Sequence, residues 1–257
     1  MASLLRTAVA LALVVAVLVA TALAVPSLAR EEPGSNRPDS FAVTQGERCV
    51  TIQPSGNGTR SVESFYDYRI PPDGNYVSYG TLELQRSETS QLFVYNGSDG
   101  LSLVFLHDRL GERSAFGGGV ITAEISGLPR DGRWAIMDDK YVKIDLYITD
   151  SQLFEVQEDA IERTGARTRI EWVWKDNRSD GAVFRGLGSD GYDEITIDMR
   201  FNDRSNRYPY DEWSGAPERH RIEEWIARSA TGRTYRLEMG RPVTIEPGDC
   251  SPAESRP

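Results

Sequence analysis

The chain has 257 residues, of which 39 are acidic and 29 basic, so its formal net charge at pH 7 is −10. This excess of negative charge argues against a nucleic acid or an anionic membrane surface as a partner. Only three of the basic residues are lysines, a composition typical of proteins that stay soluble in concentrated salt, although a genome that favours arginine codons would give the same ratio.

The N-terminus has the features of an export sequence. Arg6 precedes an uninterrupted apolar run over 7–25, and Ser27-Leu28-Ala29 offers small residues at the two positions that a signal peptidase reads. We therefore predict that residues 1–29 are a signal peptide and that the mature protein is extracellular or bound to the cell surface. The apolar run is also just long enough to span a bilayer, so an uncleaved anchor, with membrane contact through residues 7–25, is the alternative.

The rest of the chain divides by composition. Residues 30–47 are polar and predict a flexible linker, 48–250 a single domain, and 251–257 a short tail. The two cysteines, Cys49 and Cys250, lie at the two ends of that domain. Since exported proteins fold in oxidising compartments, we expect a disulfide between them, which requires the first and last core segments to be neighbours.

Alternating hydrophobicity predicts β-strands along the domain. In 194–201, Ile195, Ile197, Met199 and Phe201 share one face and polar residues the other. The same alternation is found in 141–148, 169–174 and 234–239, the last with Tyr235, Leu237 and Met239 on one face. The stretch 101–107 is apolar on both faces, as in a central strand.

Turn and helix patterns complete the fold prediction. Asx-Gly pairs at 96–97, 99–100, 131–132, 180–181 and 190–191, and Pro-Pro-Asp-Gly-Asn at 71–75, predict turns between strands. Helical spacing is found only in 153–165 and in a capped turn within 59–68, while 221–228 fits either period. We expect an all-β protein, an antiparallel β-sandwich of jelly-roll or immunoglobulin-like type with at most one or two short helices.

A metal site receives little support. The stretch 176–187 begins like a calcium loop, with Asp176, Asp180 and Gly181 in place, but Arg178 and Leu187 stand where ligands are required. Tight turns explain this stretch better, and we predict no cofactor. Calcium held by Asp138, Asp139 or Asp190 is left open without further support.

The candidates for catalysis are two carboxylates. Glu194 and Asp198 share one strand face, and paired carboxylates serve as acid and nucleophile or base in glycosidases. Thr196 stands between them where a third acid would be expected, and a solvated polar face explains the pattern equally well. His107 continues the inward face of 101–105 and is predicted to be a hydrogen-bonded core residue.

Two further sets of residues suggest binding or modification. Tyr66, Tyr68, Tyr76 and Tyr79 flank one turn, where tyrosines suit contact with a sugar or a protein, although packing against the sheet accounts for them as well. Sequons place candidate N-glycans at Asn57, Asn96 and Asn177.

Five stretches carry a resemblance to a known group of proteins: DGLSLVFLHD (99–108), GLPRDGRWAIMDDKY (127–141), RIEWVW (169–174), RSDGAVFRGL (178–187) and EITIDMRFN (194–202). With them the chain resembles secreted β-rich proteins of halophilic archaea, for which no activity is known. The resemblance implies an exported β-rich protein and transfers no functional residue.

The preferred function is a non-enzymatic surface, adhesion or ligand-binding module with a glycan or a surface protein as partner. One alternative is a secreted carbohydrate-active enzyme that uses Glu194 and Asp198. The other is a structural envelope component anchored by an uncleaved leader.

Overall fold

The computed structural model describes residues 37–69, 77–109, 119–137, 161–164, 167–174, 178–188, 193–203 and 221–251. All of them belong to one compact unit that begins at Asn36. Within these ranges the chain forms fifteen β-strands, one α-helix (α1, Val62–Tyr66) and a 3-10 helix at Tyr79–Thr81. The strands are β1 Phe41–Gln45, β2 Arg48–Ile52, β3 Tyr68–Arg69, β4 Val77–Ser78, β5 Thr89–Gly97, β6 Gly100–His107, β7 Gly119–Ser126, β8 Arg133–Met137, β9 Ile161–Thr164, β10 Arg167–Trp174, β11 Asp180–Arg185, β12 Ile195–Phe201, β13 Glu224–Arg228, β14 Thr234–Leu237 and β15 Val243–Pro247.

The strands build two large sheets and one two-stranded ribbon. Sheet A has seven strands in the order β2-β1-β15-β12-β7-β10-β9, and sheet B has six in the order β14-β13-β5-β6-β11-β8; β3 and β4 form the ribbon. Among the described strands every pair of neighbours is antiparallel except β5 and β13, which are parallel. The prediction of an all-β, antiparallel sandwich is therefore confirmed, with one parallel pair within it. A parallel pair cannot be joined by a tight turn, so no hairpin pattern in the sequence marks it.

The core lies between the two sheets and is formed by the alternating residues of the strands. Ile195, Ile197 and Met199 of β12 are fully buried there, as the alternation predicted. Aromatic pairs join the sheets: Phe105 of β6 lies 5.6 Å from Trp172 of β10, between ring centroids. Burial of each such side chain contributes about 1.5–3 kcal/mol to folding.

A second, smaller core covers the opposite face of sheet B. Val62 and Tyr66 of α1 pack there on Phe93, Val104 and their neighbours. Both faces of sheet B are covered, which explains why β6 is apolar on both sides. It is a central strand, as predicted, with β5 and β11 as its neighbours.

Helix α1 forms where the sequence predicted a capped turn. The Ser61 side chain accepts a hydrogen bond from the Ser64 backbone N–H at 3.2 Å, which satisfies one of the free amides of the first turn. Phe65 stacks on Tyr95 with centroids 4.1 Å apart, so the helix is fastened to β5. No helix in the described ranges is long and apolar enough to cross a membrane.

The predicted disulfide is present. Cys49 of β2 and Cys250, three residues after β15, are joined by an S–S bond of 2.04 Å across 201 residues of sequence. Strand β1 lies between β2 and β15, and the Cys250 backbone N–H donates to Thr51 Oγ1 at 3.1 Å. The two ends of the domain therefore meet in sheet A.

Several boundaries differ from the sequence predictions. Strand β1 occupies Phe41–Gln45, within the segment predicted to be a flexible linker. Phe41 and Val43 are buried in the core. The strand was not recognised in the sequence because it is short and polar residues surround it. Ile161–Thr164 is a strand and not the end of a helix, and within 221–228 the residues Glu224–Arg228 form strand β13. Met239 lies beyond the end of β14 and is 39% exposed, so it does not extend the buried face of that strand.

Some of the predicted Asx-Gly turns are present in the described ranges and one is not. Asn96-Gly97 and Asp99-Gly100 form the β5–β6 hairpin, with Gly97 opposite Gly100. Asp131-Gly132 is a turn, but it joins β7 of sheet A to β8 of sheet B. Asp180-Gly181 is not a turn; it begins β11, where Asp180 lies opposite His107.

Gly181 is required by a close approach of neighbouring chains. A Cβ at this position would lie 2.3 Å from the Phe105 carbonyl oxygen and 2.7 Å from the Tyr66 hydroxyl oxygen. The glycine is therefore needed where β6 and α1 pack closely against β11. From the sequence alone, an Asx-Gly pair in such a place looks the same as one in a turn. The predicted strand 141–148, the first part of the predicted helix, 153–160, and the turns at 71–75 and 190–191 lie outside the described residues.

Candidate ligand-binding surface

The face of sheet A that points away from the core, here called the outer face, is polar. Alternate residues of β7, β10 and β12 reach it because the others fill the core. Register brings their charges together: Glu124 of β7 lies directly between Asp198 of β12 and Arg169 of β10. Two carboxylates thus occupy adjacent positions, an arrangement that destabilises a sheet unless a cation or another partner compensates it.

These residues line a shallow depression of about 520 Å³. Its polar lining residues are Glu124, Ser126, Arg167, Thr168, Arg169, Thr196 and Asp198. Arg200, the next outward residue of β12 after Asp198, lines a second depression of about 770 Å³ at the end of the strand, with Arg221 and Glu223.

Arg169 is held rigidly in the depression. Its Nε and Nη2 donate to Glu171 Oε1 at 3.1 and 2.7 Å, and its Nη1 donates to Glu124 Oε1 at 3.0 Å. Glu171 is buried, so its carboxylate depends on such partners. The guanidinium of Arg169 in turn offsets the repulsion between Glu124 and Asp198.

Two charged side chains of the depression have no such partner. Arg167 and Asp198 are exposed, and neither forms a hydrogen bond or ion pair with any residue in the described part of the chain. They lie on the strands that flank β7, roughly 10 Å apart across the sheet at about 4.8 Å per strand and two residues, about 7 Å, apart along it. A positive and a negative group are therefore available to a ligand on a rigid sheet.

Hydroxyl groups continue this surface across the sheet. Thr44, Thr244, Thr196 and Ser126 are successive partners on β1, β15, β12 and β7, and all four are half-buried. The row ends in the depression. Hydroxyls can both donate and accept hydrogen bonds, which makes the row suitable for a polar ligand.

The two predicted catalytic carboxylates are only partly brought together. Both Glu194 and Asp198 are exposed on the outer side of sheet A, but only Asp198 lines the depression. Glu194 accepts a long hydrogen bond from Thr196 Oγ1 at 3.4 Å. The described lining of the depression contains no aromatic side chain. The nearest cross-strand carboxylate to Asp198 is Glu124, which sequence reasoning missed because register between β7 and β12 cannot be read from either strand alone.

The tyrosine candidates do not form one binding patch. Tyr66 is the last residue of α1 and is fully buried in the second core, so its side chain does not reach the surface. Tyr68 and Tyr79 are half-buried, and the Arg69 guanidinium lies 5.4 Å from the centroid of the Tyr79 ring. Tyr76 lies outside the described residues.

Arg69 also shapes the ribbon beside these tyrosines. Its Nε and Nη2 donate to the two carboxylate oxygens of Asp67 at 2.8 and 2.6 Å. This hydrogen bonding lowers the pKa of Asp67 below its ordinary value. The pair is solvent-exposed and is expected to add little to stability.

His107 is a core residue, as predicted. It is fully buried, with Nδ1 2.9 Å from Ser90 Oγ, and its ring lies 4.6 Å from Trp172 and 5.7 Å from Trp174. Burial lowers the pKa of His107 to about 3, so the ring is neutral at physiological pH. Ser90 and Asp180 lie opposite it on β5 and β11, but all three side chains are enclosed, which leaves no path for a substrate through the described part of the fold.

The remaining candidates concern metals and glycans. Within the described ranges no three His, Cys, Asp or Glu side chains are grouped to hold a metal ion, and Asp138, Asp139, Asp176 and Asp190 lie outside those ranges. Asn57 is exposed and Asn96 is half-buried, while Asn177 lies outside the described residues.

Fold and surface define a disulfide-closed β-sandwich with one face covered by a helical segment and the other left polar. No protein-family model matches the chain, and no curated protein or solved structure is significantly similar to it. The resemblance to secreted proteins of halophilic archaea stays a prediction.

Proposed function

We propose that the protein is exported and acts as a non-enzymatic binding module at the cell surface or outside the cell, with the outer face of sheet A as its ligand surface. The observation that carries this proposal is the depression in which Arg169 is fixed by Glu171 while Arg167 and Asp198 are left without partners. The disulfide between Cys49 and Cys250 supports export, since such bonds persist in oxidising compartments.

A glycan is the ligand that this surface suits best. Carboxylate, guanidinium and hydroxyl groups all form hydrogen bonds with sugar hydroxyls, and here they are arranged along neighbouring strands. The surface is extended and shallow, which fits a chain of sugars better than an enclosed small molecule. Sites built on strands also hold their geometry, so a ligand loses little affinity to ordering the protein.

A binding screen on the secreted full-length chain tests the proposal. The probes are immobilised neutral, uronate-containing, sulfated and amino-sugar glycans, at low and at molar salt. Arg167→Ala and Asp198→Asn each remove one partnerless charge and are expected to weaken binding roughly tenfold, the effect of about 1.4 kcal/mol.

Two variants serve as matched controls. Arg233→Ala removes an exposed arginine from the loop between β13 and β14 of sheet B, and Asp39→Asn an exposed aspartate before β1. Both should bind like the wild type. Retention of no probe, or equal losses in test and control variants, would contradict the proposal.

The same samples separate the alternatives. Release of reducing ends from any glycan, abolished by both Glu194→Gln and Asp198→Asn, would replace binding with glycoside hydrolysis as the function. An intact mass that begins at Met1 or Ala2 would show that the leader is retained, in favour of an anchored envelope component.

A further inference from the structure

The loop around Asn57 is fastened to the end of β5. The Ser55 N–H donates to the Val94 carbonyl at 2.8 Å, the Asn96 N–H to the Ser55 carbonyl at 2.6 Å, and the Gly58 N–H to the Asn96 carbonyl at 3.0 Å. Gly56 and Gly58, with φ of +90° and +79°, let the chain turn on either side of Asn57. The loop therefore presents Asn57 in a defined conformation.

The side chains of this sequon already interact with each other. Asn57 Oδ1 accepts hydrogen bonds from the Thr59 backbone N–H at 3.2 Å and from Thr59 Oγ1 at 2.6 Å. Both residues are exposed, and in the described part of the chain no acceptor binds Asn57 Nδ2. The amide nitrogen is thus open to solvent while the amide oxygen is held by two donors.

We propose that Asn57 is the N-glycan acceptor among the described sequons. In the transfer, Nδ2 forms a bond to the anomeric carbon of an oligosaccharide carried on a lipid phosphate. The bond from that carbon to the phosphate oxygen breaks, the phosphate leaves with the electron pair, and Nδ2 gives its proton to a base of the host transferase. The two donors from Thr59 stabilise the negative charge that Oδ1 gains as Nδ2 loses its proton.

Asn96 has the same sequence motif in a different environment. It belongs to β5, is half-buried, and its Oδ1 is enclosed without a hydrogen bond from any described residue. Its backbone N–H and carbonyl are both engaged by the 55–58 loop, so a transferase would have to unpair the strand to reach it.

The position of Asn57 also leaves the ligand surface clear. The loop runs beside β5 of sheet B, whereas Arg167 and Asp198 belong to sheet A. The inference rests on the proposed export but not on ligand binding, so glycosylation and binding can each fail without the other.

The test is secretion of the full-length chain from a host that performs N-glycosylation, followed by intact mass and peptide mapping before and after enzymatic deglycosylation. Asn57→Gln and Thr59→Val should lose one glycan mass, while Thr59→Ser, which keeps the hydroxyl, and Asn96→Gln should retain it. Unmodified Asn57 in the secreted wild type, while a reference glycoprotein from the same cells is modified, would overturn the inference. So would a glycan at Asn96, or full occupancy of Asn57 in Thr59→Val.

Discussion

The buried imidazole of His107 makes a specific prediction about acid stability. In the folded protein its pKa is about 3, whereas a histidine in the unfolded chain titrates near 6.5. Between these values the unfolded state binds a proton that the folded state does not. The free energy of unfolding therefore falls as the pH is lowered from about 7 towards 3.

The magnitude follows from the two pKa values. Between pH 7.5 and pH 5.0 the difference in proton binding amounts to about 2 kcal/mol, at 1.36 kcal/mol per pH unit below 6.5. Because pH 5.0 lies well above the folded pKa, this figure hardly depends on the exact value of that pKa. The exposed carboxylate of Asp67, with a pKa below 3.8, stays ionised throughout this range.

The assay is urea unfolding of His107→Gln and wild type at both pH values in the same salt. From pH 7.5 to 5.0 the free energy of unfolding of the wild type should fall by about 2 kcal/mol more than that of the variant. This difference does not depend on how much the substitution itself lowers stability at neutral pH. The second histidine, His220, is present in both proteins and cancels in the comparison.

Ser90→Ala is the control, since it removes the hydroxyl beside His107 Nδ1 and adds no titrating group. It should lower stability and keep the wild-type pH dependence. An unchanged pH dependence in His107→Gln, or an imidazole that titrates near pH 6.5 by NMR, would refute the reasoning.

Three further predictions concern stability, each measured by urea unfolding. Replacement of both Cys49 and Cys250 by serine should cost about 4–5 kcal/mol, from the closure of a 201-residue loop, and reductant should lower the wild type to the same level without affecting the variant. Gly181→Ala should lower the free energy of unfolding by roughly 2 kcal/mol or more, because the new Cβ would lie 2.3 Å from the Phe105 carbonyl oxygen. Gly188→Ala is the control: its Cβ would lie 3.7 Å from the nearest atom, Arg37 Cγ, and its stability should be almost unchanged. Arg169→Gln should lower the free energy of unfolding by about 2 kcal/mol, because the buried carboxylate of Glu171 loses the guanidinium that pairs with it. The double variant with Glu171→Gln should recover part of this loss. Equal stability of the single variant and wild type would show that the ion pair does not stabilise the fold.

Features that depend on one strand or on covalent chemistry were predictable from the sequence. The alternation of apolar and polar residues in β12 predicted that Ile195, Ile197 and Met199 lie in the core. The disulfide between Cys49 and Cys250 was predicted because exported proteins fold in oxidising compartments. The capped turn at Ser61 was also recognisable, since its stabilising contacts are local.

The register between strands that neither a turn nor the disulfide connects was not predictable. Nothing in the sequence around Asp198 indicates that Glu124 lies across from it, because register is a property of the assembled sheet. Tyr66 and Gly181 suggested a contact residue and a turn, yet the structure packs them against each other in the second core. In both cases the local sequence is compatible with several roles for the residue, and a tertiary contact decides which role it has.

The pairing of β1 with β15 has a consequence for biosynthesis. Phe41 at the start of β1 lies opposite Pro247 at the end of β15, so sheet A acquires its order only after β15 has emerged from the ribosome. A nascent chain can pair β1 with β2 early, but it must leave the other edge of β1 unpaired until β15 has been made, and pairing over such a separation is slow. For the export proposed above, that delay would keep the polypeptide unfolded while it crosses the membrane.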